Sequence, residues 1–299
     1  MNTGLILALI AAVSFAVGIV LVRKTAGEAG ESFSVTAMSI FVGVPFFAIA
    51  IFISGDWHKL PSIPWQALAL LSSAGIIHFI VGRLLAYNSF RLIGANRGTP
   101  ITQISPLYTV ILSWLFLDEK LTLYIAFGAL CMLAGAFLIS QERGRPYGED
   151  KKPMPHEMEG ILMSLGAGLC WGITPVLIKP AVEKAGSTIA GNFISYAAAG
   201  VLMGLMFLSR TRRNHFERLS FKKNIAPMAL AGLFTAGGQL LYFAALGRSP
   251  ANLVSPLVSI EVLFIFFLSF FINRKIELFT PRVFIGMAAT LTGTFLLFR

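Results

Sequence analysis

Charged side chains are scarce in this sequence. Asp, Glu, Lys and Arg make up 13% of the 299 residues, about half of the roughly 25% that a soluble domain carries. A water-soluble chain of this length needs a polar shell, and this composition cannot supply one. Cysteine is nearly absent too. Cys131 and Cys170 each sit inside an apolar run, without paired spacing and without a cluster of metal ligands, so neither a disulfide framework nor a metal centre is expected. They read as small packing residues. There is no Walker-type phosphate loop, which excludes a built-in ATP engine, and no HExxH or GxSxG signature. No cofactor is expected. The net charge is +10, but no basic stripe alternates with aromatics, so nucleic acid is not an expected partner.

What the sequence has is apolar length. Hydrophobic residues make up 56% of the chain, in runs of roughly 17 to 22 residues. At about 1.5 Å of rise per helical residue, such runs match a hydrocarbon core about 30 Å thick. Only helices and closed barrels satisfy their backbone groups in lipid. Barrel strands would alternate over about ten residues, whereas these runs are continuous. The expected fold is therefore all-α and integral to a membrane. Ten spans are predicted, at 4–22, 34–53, 65–88, 98–117, 122–140, 160–178, 189–208, 226–246, 253–272 and 282–298. The first reads as a retained span rather than a cleaved leader, since little positive charge precedes it.

The basic residues give the orientation. Six Lys and Arg fall in loops on the side of the N-terminus and seventeen on the opposite side, with Arg83 inside a span. The excess places the long central linker in the cytoplasm and both termini outside. Short loops without N-x-[ST] acceptors suit a prokaryotic inner membrane.

The two halves resemble each other. Ser14-Phe15-Ala16 falls on Cys170-Trp171-Gly172, Gly82 on Gly237, Tyr87 on Tyr242, Pro106 on Glu261, and Gly128 and Gly135 on Gly286 and Gly293. The segment GALCMLAGAFLI opposes GMAATLTGTFLL. This divides the chain into a first five-helix repeat over 1–142, a cytoplasmic linker over 143–158 and a second five-helix repeat over 159–299. Five is odd, so the second copy enters the membrane inverted. Inverted repeats related by a pseudo-two-fold axis are a physical basis of alternating access, with the binding site near the midplane.

With these features the chain resembles the drug/metabolite transporter superfamily, of the EamA-domain type. The resemblance rests on Cys170-Trp171-Gly172 ahead of Lys179, on the run SPLYTVILSWLFLDEKLT at 105–122, and on the glycines of each half's final helix. It implies a ten-helix carrier of small organic solutes such as amino acids or related metabolites, often an exporter. The second half departs from the pattern, with Glu261 in place of the proline and Asn273-Arg274-Lys275 in place of Asp118-Glu119-Lys120.

Candidate cavity residues follow from polar groups inside spans. Glu261 is the only acidic residue within one. Burying its charge costs at least about 2.5 kcal/mol, so it faces a cavity, pairs with a cation or carries a proton. It is the proton-coupling candidate. Arg83 and Tyr87 are four apart and share a helical face. Arg83 either binds a solute carboxylate through its planar fork, pairs with Glu261, or snorkels. His78 lies about 140° from Arg83 on an α-helix and reads as a hydrogen-bonded core histidine. Trp171, Gln239 and Tyr242 complete the set. Pro106 and Pro175 are candidate hinges, since proline removes a helical hydrogen bond. The expected function is secondary transport of a small solute, with the bilayer as surroundings and a monomer or homodimer as assembly. A lipid-linked flippase shares this architecture, and an intramembrane enzyme is the remaining alternative.

Overall fold

The structure, a computed structural model, describes residues 2–29, 32–93, 101–140, 156–209, 221–272 and 281–296. Asn96 and Arg97, most of the central linker and Asn273-Arg274-Lys275 lie outside the described residues. Among the described residues the secondary structure is helical throughout. The helices are α1 (Thr3–Ala29), α2 (Ser32–Ile53), α3 (Trp65–Gly75), α4 (Arg83–Ile93), α5 (Ser105–Phe116) and α6 (Leu123–Ser140). They continue with α7 (Glu157–Ala185), α8 (Thr188–Met206), α9 (Phe221–Leu246), α10 (Ala251–Val258), α11 (Glu261–Ile272) and α12 (Pro281–Leu296). A 3-10 turn, Asp56–Ser62, follows α2, and a π-helical segment, Ile76–Gly82, joins α3 to α4.

Six helical stretches are long and apolar enough to cross a membrane, and four shorter apolar helices accompany them. The interior face of α1 is Ala8, Ala11, Ala12 and Ala16, all fully buried, spaced three and four apart as one helical face requires. Small residues let membrane helices approach closely, and α1 lies along α9. Large apolar side chains are found both inside, as with Phe47, Phe79 and Phe243, and on the outer surface, where Phe52 is 67% and Leu123 88% exposed. In water such surfaces would stick together; in lipid they meet their own solvent.

The remaining helices cross-pack. α2 lies on α8 and α9, α3 on α7 and α8, and α4 on α7. α5 contacts α7 and α10, while α6 packs along α12. The α7–α8 connection is sharp for reasons visible in its sequence. Gly186 takes the left-handed conformation at φ 62° that stops α7. Ser187 then caps α8, its hydroxyl accepting from the Ala190 amide at 3.1 Å.

Two expected spans are discontinuous. The fourth has helix at 101–102, a turn at 103–104, and then α5. The ninth breaks at 259–260, between α10 and α11. Pro106 stands in the first turn of α5, directly after the first break, where its missing amide costs nothing. Pro175, the other candidate hinge, lies inside the uninterrupted α7.

Candidate functional site

The interior polar groups converge on the π-helical segment of the third span. A π turn closes i→i+5 hydrogen bonds and often marks a functional site. Its wider turn moves residues five apart toward one side, so the wide separation of His78 and Arg83 expected of an α-helix does not hold here. Glycine brackets the segment. A Cβ at Gly75 would lie 2.1 Å from the Ser195 carbonyl oxygen, and one at Gly82 would lie 2.7 Å from Trp171 Nε1. The first glycine brings α8 against the segment, and the second admits the Trp171 indole, which donates to the His78 carbonyl at 3.3 Å.

The His78 ring is the centre of a hydrogen-bond chain. Gln239 Nε2 lies 3.0 Å from His78 Nε2, and His78 Nδ1 lies 3.0 Å from Thr174 Oγ1. The Thr174 hydroxyl donates to the Trp171 carbonyl at 3.0 Å. With the amide so oriented, the neutral ring accepts at Nε2 and donates from Nδ1. Three spans meet here: the third through His78, the sixth through Trp171 and Thr174, the eighth through Gln239. One atom is left over, since Gln239 Oε1 is buried without a hydrogen-bond partner. An unmade buried hydrogen bond costs about 1–3 kcal/mol.

A second polar group lies at the two helix breaks. Glu261, first residue of α11, is hydrogen-bonded to Gln103 in the break of the fourth span. Beside them the Ser255 hydroxyl donates to Thr109 Oγ1 at 3.0 Å, and Thr109 donates to the Gly172 carbonyl at 2.9 Å. The Tyr242 hydroxyl reaches Ser255, and its ring packs edge-on against Phe15 at 6.4 Å. Glu261 is partly buried, and no described ion pair includes it.

Arg83 does not pair with Glu261. Its guanidinium donates to the Ser39 hydroxyl on α2 and sits over the Phe79 ring, 5.0 Å from the centroid. The side chain is 6% exposed. Tyr87 lies one turn further along α4, within the field of the guanidinium. Of the six residues predicted to line a cavity, Trp171 and Gln239 join through His78, and Tyr242 lies with Glu261 near the breaks. Arg83 and Tyr87 stand to one side of both groups. His78, Thr174 and Gln103 are the members that sequence reasoning did not place in the site. The signal for His78 was its bracketing by glycines in GIIHFIVG.

A third cluster lies at the end of the bundle that carries the N-terminus. Glu119, in the α5–α6 connection, accepts from the backbone amides of Ala251 at 2.7 Å and Asn252 at 2.9 Å. These are the first amides of α10, where the helix dipole also favours a carboxylate. Asn252 Nδ2 donates back to the Lys120 carbonyl at 3.1 Å. Lys179, from α7, lies 3.8 Å from Glu119 and donates to the Ser249 carbonyl at 3.1 Å. Nearby Ser187 donates to Asp56 Oδ2 at 2.7 Å, and Asp56 pairs with Lys59 at 2.7 Å. Hydrogen bonds from Lys59 and Ser187 hold the Asp56 carboxyl below the usual carboxylate range.

Known proteins resemble this one over between about half and nine-tenths of its length. The chain is 32% identical over 143 residues to the uncharacterized transporter YvbV of Bacillus subtilis, covering 46% of this chain and 44% of that protein. It is 27% identical over 202 residues to mouse solute carrier family 35 member G1, covering 64% and 52%. These two matches span about half the length of each relative. An uncharacterized transporter of Archaeoglobus fulgidus is 22% identical over 274 residues, covering 91% of both chains. A crystal structure at 15% identity superposes with a TM-score of 0.78 over 98% of this chain and 95% of the other, which shows a shared fold. The EamA-like transporter family matches twice, at residues 2–141 and 158–299. This chain thus belongs to the EamA-like transporter family and is a multi-pass membrane protein.

Proposed function

We propose that the protein is a secondary carrier that exports a small organic solute by alternating access between two inverted five-span repeats. Taking the four shorter apolar helices as spans makes ten, with the halves at 1–142 and 159–299. Two features support the repeat reading. The family matches once in each half. The helix contacts also map onto themselves on moving five spans along. α1 on α9 corresponds to α4 on α7, α2 on α9 to α3 on α8, and α2–α8, α5–α10 and α6–α12 each to themselves.

The observation that carries the carrier reading is the bond chain joining His78 of the first half to Thr174 and Gln239 of the second. Beside it lie the breaks of the fourth and ninth spans. Broken spans with free polar groups at mid-depth are where carriers of this architecture bind solute. Glu119 to the Ala251 and Asn252 amides and to Lys179, Asn252 to Lys120, and Ser187 to Asp56 all cross between halves, so we read this conformation as closed on the N-terminal side. By the bias of basic residues that side is outside and the linker is cytoplasmic. Solute enters against His78, Gln239 and Glu261, and the Glu119 tie releases as the halves rock. Glu261, held by a neutral amide, is the group that exchanges a proton with the cycle.

The test starts with thermal unfolding of the purified protein against a metabolite panel, followed by counterflow of each hit in proteoliposomes. A ligand at about 100 times its Kd should stabilise the fold by about 2.7 kcal/mol. Gln239→Leu should abolish that gain and the flux while the unliganded protein stays folded. A ligand that binds the wild type but never crosses the bilayer would sink the carrier reading.

A further inference from the structure

We infer that Arg83 holds the carboxylate of the solute, so that the carried compound is an organic anion. The inference rests on the carrier reading and specifies its substrate class. The described ion pairs are those of Asp56, Glu119, Glu159 and Glu183, and none includes Arg83. A buried guanidinium in the third span therefore has no described carboxylate to balance it. Its known contacts are with neutral groups: the Ser39 hydroxyl, the Phe79 ring face, and the Tyr196 ring and hydroxyl beside it.

Ser39 takes one of the guanidinium's donors, and a guanidinium has five. The planar fork that remains matches a carboxylate, two parallel N–H groups to two oxygens. A second observation points the same way. Tyr196 is fully buried, its hydroxyl is beside the Arg83 guanidinium, and it has no other hydrogen-bond partner among the described residues. A guanidinium with spare donors and a neighbouring hydroxyl whose own proton has no described acceptor are the donors that a carboxylate accepts from. Arg83 adjoins the carrier site through Phe79, whose ring lies under the guanidinium at 5.0 Å and meets the His78 ring edge-on at 4.9 Å. A solute with its carboxylate on Arg83 and Tyr196 thus has its body beside His78 and Gln239. There the buried Gln239 Oε1 accepts a donor such as an amine or hydroxyl.

An unbalanced buried charge is costly, and replacing it by an apolar side chain of similar volume often stabilises a protein. This gives a readout that needs no knowledge of the natural solute. Wild type and Arg83→Met are unfolded thermally in a neutral detergent, alone and with benzoate, phenylacetate, hexanoate or lactate, and with the amide of each. Arg83→Met is expected to melt at or above the wild-type temperature when unliganded. At least one carboxylate should raise the wild-type melting temperature where its amide does not, and the rise should vanish in Arg83→Met. Arg83→Lys, which keeps the charge but not the fork, should retain only part of it. A markedly lower melting temperature for unliganded Arg83→Met would mark Arg83 as structural and overturn the inference. So would equal responses to acid and amide, no response to any of the four acids, or a rise produced by phosphatidylglycerol in their place. An amide response that survives Arg83→Met and disappears in Gln239→Leu would leave a carrier of neutral solutes standing and remove only the anion site.

Discussion

Two carboxylates flank the short helix α10, and they are held in opposite ways. Glu119 meets the N-terminus of α10 and is matched on every side, with two backbone amides on its oxygens and Lys179 at 3.8 Å. Its side chain is 7% exposed. Glu261 follows the C-terminal break, opens α11, and has the neutral side chain of Gln103 as its hydrogen-bond partner. Both profit from a helix N-terminus, but only Glu119 has a described counter-cation. In the proposed cycle the first arrangement exists in one conformation, because its donors come from the other half of the chain. The second leaves a charge that a proton or a bound cationic group can neutralise. On the proposed function the difference separates a tie from a working group, although both are glutamates beside the same span.

The sharpest way to break this comparison is to remove the tie. Glu119→Ala leaves Lys179 without its partner and two helix amides without acceptors. Breaking a buried pair costs about 3–5 kcal/mol, so a large fall in melting temperature is expected. Glu119→Gln keeps an acceptor for one amide and should lose about 1–3 kcal/mol. If Glu119→Ala melts like the wild type, the closure of this end lies elsewhere.

Glu261→Gln should do the reverse. A glutamine keeps the hydrogen bond to Gln103, so stability should stay within about 1 kcal/mol of wild type. Flux of an identified solute should continue, but an imposed pH gradient should no longer drive it. Proteoliposomes with and without the gradient give the measurement. A Glu261→Gln protein as unstable as Glu119→Ala would make both carboxylates structural and erase the distinction.

Much of this was legible in the sequence, for reasons that differ from residue to residue. The helices follow from uninterrupted apolar length, which needs no tertiary information. Glu261 stood out because a lone acid in an apolar run is expensive wherever it points. Trp171 and Gln239 are legible as polar groups on spans, and both bond to His78. His78 was also polar and also on a span, yet its role depended on a π turn, and an assumed 3.6-residue period put it on the wrong face. Gln103 is harder to read: the turn that holds it comes just ahead of Pro106, a local breaker, but its partner Glu261 lies on the ninth span, which no local pattern announces. Glu119 was read as part of a family motif, and nothing local announced that its partners lie 132 and 133 residues away.

The smallest effect concerns the satellite tie at the same end. Asp56 is linked to Ser187, the cap of α8, and to Lys59, with side chains 18% and 50% exposed. An ion pair open to water contributes about 0–1 kcal/mol, so Asp56→Asn should cost far less than Glu119→Ala. Its pH dependence has a definite sign. Lys59 and then Ser187 lower the Asp56 pKa in the folded state below the ordinary 3.8. A depressed folded pKa gives stability that is fully present above the unfolded pKa and lost as pH falls through the folded one. The stability difference between wild type and Asp56→Asn should therefore be flat from about pH 7 to about pH 5 and shrink below about pH 4. Ser187→Ala removes the cap as well as the link and should cost about 1 kcal/mol at neutral pH. Thermal unfolding of the three proteins across that range reads both effects. If Asp56→Asn instead matches Glu119→Ala in size, the closure is shared among several ties, and Glu119 loses its special place in it.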